Sequence, residues 1–126
     1  GAAGSSDREV WGAVLGPDGA ARAAARRLTA DAGFSRYPRW LPFGDRLLLV
    51  WGDDRAEARY ALWAQVFSPA LAPLTEPMQV TPTAPSAASV SPTLGLGPDG
   101  DVGVLFRDAR DGRIATWFTR LRCEMP

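Results

Sequence analysis

Leu47-Leu48-Leu49-Val50-Trp51-Gly52-Asp53-Asp54-Arg55 is the stretch of sequence that decides the fold. Its first half is an apolar run rich in strand-favouring residues, and polar turn residues bound it on both sides, which predicts a short buried β-strand. The stretch ends in the pattern aromatic-x-Asp-x-Arg. The same pattern recurs as Phe106-Arg107-Asp108-Ala109-Arg110, again after an apolar run. The recurrence indicates that the chain is built from a structural repeat.

The repeat extends in both directions from this stretch. At a shift of 52 residues, Trp11 aligns with Trp63 and Thr29 with Thr81, and at a shift of 54 residues Trp63 aligns with Trp117. The alanine-rich segment 20–25 favours a helix on propensity alone, but its counterpart at 72–77 contains two prolines, which a regular helix excludes. The alignment therefore predicts a loop over 20–25 and a short strand over 26–29.

Each repeat unit is predicted to contain four short antiparallel strands. In the complete unit they span 37–41, 47–51, 60–67 and 78–81, and in the next unit 91–96, 102–106 and 114–121. The third strand alternates only loosely between apolar and polar residues, so both of its faces are expected to be covered. The predicted organisation is a flexible lead at 1–9, the last two strands of one unit at 10–36, a complete unit at 37–81, a crossover at 82–90 and three strands of a further unit at 91–126.

Four short antiparallel strands per unit are typical of a β-propeller blade. The sequence therefore predicts an all-β chain of about two and a quarter blades. A propeller needs about four blades to close, and each blade buries its faces against its neighbours. The ring is expected to be completed by the remainder of a longer chain, by further copies or by another chain. A compact all-β fold other than a propeller is the alternative.

Three motifs carry a resemblance to a known family. They are Val-Trp-x-Asp-x-Arg at 50–55, Tyr-x-Leu-x-Ala-Gln-Val-Phe-Ser at 60–68 and Glu-Pro-x-x-Val-Thr at 76–81. Together they resemble blades of sialidase-like propellers in secreted bacterial proteins, and the resemblance covers residues 10 to 123. It implies a propeller fold and an extracytoplasmic location, whether secreted, periplasmic or at the cell surface.

The chain departs from this family where catalysis is concerned. The Asp-box, Ser-x-Asp-x-Gly-x-x-x-Trp, is not reproduced, because the stretch from Asp108 to Trp117 has neither its serine nor its spacing. Tyr60, one of two tyrosines, aligns with Ile114, as a core position would. We expect a non-catalytic propeller segment that serves as a binding or scaffold surface for protein or glycan. We identify no candidate catalytic residue in the sequence. The alternative is that the chain is part of a sialidase-like glycoside hydrolase whose catalytic residues lie mostly outside this chain.

The candidate site residues fall into two groups. The repeated aromatic and Asp positions are expected to be structural, with each Asp holding a loop at a strand end, and they are Trp11, Trp51, Asp53, Trp63, Phe106, Asp108 and Trp117. The tryptophans recur once per unit, which favours packing between sheets over sugar stacking. Ligand binding is expected at an aromatic and basic cluster and at the strand ends, and its candidates are Arg36, Tyr37, Arg39, Trp40, Asp54, Arg55 and Arg110.

Composition bears on the remaining classes of function. The 14 basic and 14 acidic residues cancel, so no overall charge favours nucleic acid. The chain has no histidine and a single cysteine, so no disulfide can form within it, and we expect no metal and no cofactor. Cys123 is expected to pair with a cysteine outside this chain or to be a buried thiol. No apolar run approaches the length of a membrane span.

Overall fold

The computed structural model describes residues 9–29, 35–54, 61–81, 90–108 and 115–122. Over these residues the chain forms β-strands and no helix, in three antiparallel sheets. The predicted all-β class is confirmed. The strands are β1 (Trp11–Gly12), β2 (Arg26–Arg27), β3 (Ser35–Phe43), β4 (Arg46–Asp53), β5 (Ala61–Phe67), β6 (Met78–Gln79), β7 (Val90–Leu96), β8 (Val102–Asp108) and β9 (Ala115–Leu121).

The strands follow chain order within each sheet. Sheet 1 contains β1 and β2, sheet 2 runs β3-β4-β5-β6, and sheet 3 runs β7-β8-β9. The described residues do not close into a ring, so the propeller remains a prediction. The predicted lead and crossover fall mostly on residues 1–8 and 82–89, which lie outside the described residues, as does Cys123.

Equivalent hydrogen bonds repeat at the shift of 52 residues that the sequence indicates. The backbone N–H of Val10 donates to Thr29 Oγ1 at 3.0 Å, and that of Leu62 donates to Thr81 Oγ1 at 2.9 Å. Each of these threonines follows the last strand of its sheet, and its hydroxyl joins that segment to the beginning of the strand before it. The repeat is therefore present in the backbone geometry as well as in the sequence.

The first strands of sheets 2 and 3 also share a β-bulge. The register shifts between Arg36 and Arg39 in one sheet and between Val90 and Thr93 in the other. Tyr37 and Ser91, which occupy equivalent positions, both have positive φ angles, of 60° and 56°. A proline follows each of them in the sequence. Because β3 and β7 are edge strands, a proline there removes no ladder hydrogen bond that a central strand would need.

Sheet 2 is the middle layer, and both of its faces are buried. On one face Leu48, Val50, Leu62, Ala64 and Val66 pack against Val102, Val104 and Phe106 of sheet 3. On the opposite face Leu49, Trp51 and Phe67 pack against Val10 and Leu28, which adjoin the two strands of sheet 1. Burial of each such aliphatic side chain contributes about 1.5–3 kcal/mol. The expectation that the third strand is covered on both faces is confirmed, since β5 is buried along nearly its whole length.

The two contacts of sheet 2 follow one rule. Val104 and Phe106 occupy the positions in sheet 3 that Leu49 and Trp51 occupy in sheet 2, at a shift of 55 residues. Sheet 3 therefore meets sheet 2 with the same face that sheet 2 turns toward sheet 1. Such head-to-tail stacking uses two different faces of each sheet and leaves one of each exposed at the ends of the stack.

Several strand bounds differ from the sequence prediction. β1, β2 and β6 contain two residues each, although longer strands were predicted in all three places. The segment 20–25 forms a loop, as predicted, and its turn places Gly19 at a φ of 82°. Asp53 and Asp108 are the last residues of β4 and β8 and do not lie in the loops beyond them. The strands extend that far because each Asp still has a residue opposite it on the next strand.

Trp11 differs from the other two repeated tryptophans in how far the described residues cover it. Its side chain is 60% exposed, whereas Trp63 and Trp117 are partly buried against neighbouring sheets. Trp63 faces sheet 1, and the equivalent face of sheet 1 is turned away from sheet 2. The difference arises because the described residues place no sheet on that side of Trp11.

Candidate functional site

Asp53 is the centre of a buried polar contact between the first two strands of sheet 2. Its side chain is fully buried, and Oδ2 accepts hydrogen bonds from Ser35 Oγ at 2.8 Å and from Trp51 Nε1 at 3.1 Å. A buried carboxylate is stable only when such donors replace water. The contact fixes the beginning of β3 against the end of β4. Arg55, one of the predicted ligand-binding residues, lies outside the described residues.

Asp108 occupies the equivalent place at the end of β8 and is also buried. Here the repeated aromatic residue is Phe106, which has no N–H to donate. The indole N–H in sheet 3 belongs to Trp117, and it donates to the backbone oxygen of Asp108 at 3.3 Å. The two sheets thus connect an indole to the same Asp position by different routes. Arg110 lies outside the described residues.

A cleft of about 510 Å³ lies between sheet 1 and the beginning of β3. We call it the edge cleft, and its lining residues are Glu9, Val10, Trp11, Ser35, Arg36, Tyr37 and Pro38. The Arg36 guanidinium carbon lies 5.5 Å from the centroid of the Tyr37 ring, and Arg36 Nη1 is 3.4 Å from the Tyr37 hydroxyl. The cleft is therefore lined by a cation, two aromatic rings and the carboxylate-bearing residue Glu9.

The predicted ligand-binding cluster is divided by this geometry. Arg36 and Tyr37 line the edge cleft, but Arg39 and Trp40 do not. Arg39 Nη1 donates to the carbonyl oxygen of Pro38 at 3.0 Å, and the Trp40 ring packs edge-on against Phe67 with centroids 5.6 Å apart. These four residues are separated because consecutive side chains of β3 point to opposite faces of the sheet. The bulge between Arg36 and Arg39 interrupts this alternation once. Asp54 follows β4, is partly buried and does not line the cleft.

Glu9 is a residue of the cleft that the sequence prediction placed in the flexible lead. Its side chain is 6% exposed, and Oε1 lies 2.9 Å from Arg27 Nη2. The other carboxylate oxygen accepts a hydrogen bond from the Thr29 hydroxyl. The shift of 52 residues aligns Glu9 with Ala61, so a charged residue stands where the complete sheet has a methyl group. That departure from the repeat is the signal that could have identified Glu9.

A second concave region lies on the outer face of sheet 3 and has a volume of about 350 Å³. Leu96, Leu105 and Phe118 line it, and all three are exposed large hydrophobic residues. By the repeat, Leu105 and Phe118 correspond to Val50 and Ala64, which sheet 3 itself covers on sheet 2. The outer face of sheet 3 is therefore equivalent to the face of sheet 2 on which sheet 3 packs.

Among the described residues, no group of three or more Asp, Glu, His or Cys side chains is arranged to hold a metal ion. The same residues include no helix with the length and apolar character needed to cross a membrane. We compared the chain with protein-family models, with curated proteins and with solved structures, and none of them matches it.

Proposed function

We propose that the chain is a segment of a β-propeller that serves as a non-catalytic, protein-binding scaffold outside the cytoplasm. The observation that carries the proposal is the head-to-tail stacking of three equivalent sheets, in which sheet 2 contacts each neighbour with a different face. In a propeller every blade contacts the next in this way. The extracytoplasmic location rests on the motifs of residues 50–81 alone.

The two ends of the stack support the same proposal. Trp11 and Leu15 are exposed on sheet 1, while Trp63 and Phe67, their counterparts in sheet 2, face a neighbouring sheet. Phe118 is exposed on the outer face of sheet 3 in the same way. Exposed apolar faces of this kind mark surfaces that bind other protein. We expect further sheets to cover them in the assembled protein.

The mass of the chain in solution tests the scaffold proposal. We expect the purified chain to associate, and Phe118→Arg to weaken that association at least tenfold because the arginine enters the stacking surface. Sedimentation velocity over a range of concentrations gives the mass, and Leu74→Arg, at an exposed residue between β5 and β6, is the matched control. A monomer that unfolds cooperatively and is unaffected by Phe118→Arg would contradict the proposal.

Binding of an acidic glycan is the alternative that the edge cleft favours, because a guanidinium and an aromatic ring can hold a sugar carboxylate. Arg36→Ala should then remove binding on a glycan array, while Arg39→Ala, next to the cleft but not lining it, should retain binding. The hydrolase alternative depends on residues outside this chain. Turnover of aryl sialosides by a longer protein that contains the chain would support it and contradict the non-catalytic scaffold.

A further inference from the structure

We propose that the edge cleft is an acceptor site for an extended peptide strand, which would pair antiparallel with β1. This inference goes beyond the scaffold function, because it requires only sheet 1 and the beginning of β3 and does not depend on a closed ring. The partner is a protein segment that adds a strand to an exposed sheet edge.

The first argument is the pairing of equivalent strands. β5 is hydrogen-bonded on both edges, to β4 on one side and to β6 on the other. β1 is the counterpart of β5 at a shift of 52 residues, and among the described residues it pairs with β2 alone. β2 is the counterpart of β6. Within the part of the chain that the structure describes, the edge of β1 on the side equivalent to β4 is therefore unpaired.

The second argument is the position of the cleft. In the stack of sheets 2 and 3, β7 lies across β3, β4 and β5 of the sheet below it. By the same rule, β3 should lie mainly across the first two strand positions of sheet 1, which the described residues do not fill; β1 holds the third position and makes no close backbone contact with β3. The edge cleft lies between β1 and the beginning of β3. It occupies the place of the second strand of sheet 1.

The repeat also gives the register of the added strand. Trp51 lies directly opposite Trp63 in the pairing of β4 with β5, so the added strand should place an aromatic residue opposite Trp11. Trp11 is 60% exposed and would be covered by that contact. Aromatic pairs across antiparallel strands stabilise a sheet, and edge strands with exposed aromatic residues readily accept them.

Glu9 determines which type of residue fits in the added strand two positions after its aromatic residue. Asp53 lies opposite Ala61 in sheet 2, and Ala61 corresponds to Glu9 in sheet 1. An Asp in the added strand would therefore face the carboxylate of Glu9, and like charges directly opposite each other destabilise a pair of strands, although the ion pair of Glu9 with Arg27 reduces this effect. We expect a partner with the pattern aromatic-x-amide or aromatic-x-basic. In this respect it differs from β4 and β8, which both end in aromatic-x-Asp.

Peptides with the sequence of residues 101–108 provide the probe, because this segment has the strand pattern and ends in Phe106-x-Asp108. We would measure binding of fluorescently labelled peptides to the intact chain by anisotropy. The Asp108→Asn peptide should bind about two- to fivefold more tightly than the unchanged peptide, as expected for one cross-strand pair of like charges. The Phe106→Ser peptide and a scrambled peptide should not bind measurably.

A Glu9→Gln chain tests the register. Glutamine retains an acceptor for Thr29 and removes the charge, so the preference for Asn over Asp in the peptide should disappear, with thermal unfolding used to verify that the chain is folded. Hydrogen exchange should slow at residues 9–13 when the peptide is bound. Equal binding of the scrambled peptide, protection at Leu105 and Phe118 in place of residues 9–13, or an unchanged Asn preference in the Glu9→Gln chain would overturn the proposal.

Discussion

Trp51 lies directly opposite Trp63 on the neighbouring strands β4 and β5, and the face that carries them is turned toward sheet 1. Phe106 and Trp117 stand opposite each other in the same way on β8 and β9. A cross-strand aromatic pair is thus a repeated structural element. Its first member lies on the second strand of the sheet, two residues before the buried Asp at the end of that strand. These positions explain why aromatic-x-Asp is the most visible pattern in the sequence.

We predict that Asp53→Ala lowers the free energy of unfolding by about 2–4 kcal/mol, because it removes a buried carboxylate that accepts hydrogen bonds from the Ser35 hydroxyl and the Trp51 indole. Urea denaturation measures the change. Asp45→Ala, whose side chain is 92% exposed, should change it by less than about 0.5 kcal/mol. An Asp53→Ala variant as stable as Asp45→Ala would show that the contact between β3 and β4 contributes nothing.

Leu62→Ala is predicted to cost about 2–5 kcal/mol, since the residue is fully buried between sheets 2 and 3 and the change leaves a cavity. The control is Leu74→Ala, at a residue that is 47% exposed, which should cost less than about 1 kcal/mol. Chemical denaturation of both variants gives the comparison. Similar costs at the two sites would mean that sheets 2 and 3 do not pack as described.

Ser91→Gly should stabilise the chain by about 0.5–1 kcal/mol. Ser91 has a φ of 56°, in the left-handed region where glycine is not strained, and its side chain is exposed. Thr93→Gly, two residues further along β7, lacks this benefit and should be destabilising, because glycine weakens a strand. The melting temperatures of the two variants should therefore move in opposite directions. A loss of stability in Ser91→Gly would argue against the bulge.

The sequence predicts the sheets better than it predicts the site. Asp53 and Trp51 repeat at Asp108 and Phe106, so local patterns alone predict the order of strands in sheets 2 and 3. The Arg36–Trp40 cluster fails as one site because neighbours in a strand alternate between its faces, and a bulge shifts that alternation. The exposure of Trp11 could not be predicted either, because it depends on whether another sheet packs against its face of sheet 1, and that is a property of packing.

Trp11→Ala separates the binding role of this residue from its structural role. Since the side chain is 60% exposed, its removal should lower the free energy of unfolding by less than about 1 kcal/mol. Trp63→Ala, the equivalent change in sheet 2, removes a partly buried indole opposite Trp51 and should cost about 3–5 kcal/mol. Binding of the Asp108→Asn peptide should nevertheless be lost in Trp11→Ala, because the aromatic contact that sets the register is absent. A Trp11→Ala chain that binds the peptide as tightly as the unchanged chain would place the strand elsewhere than beside β1.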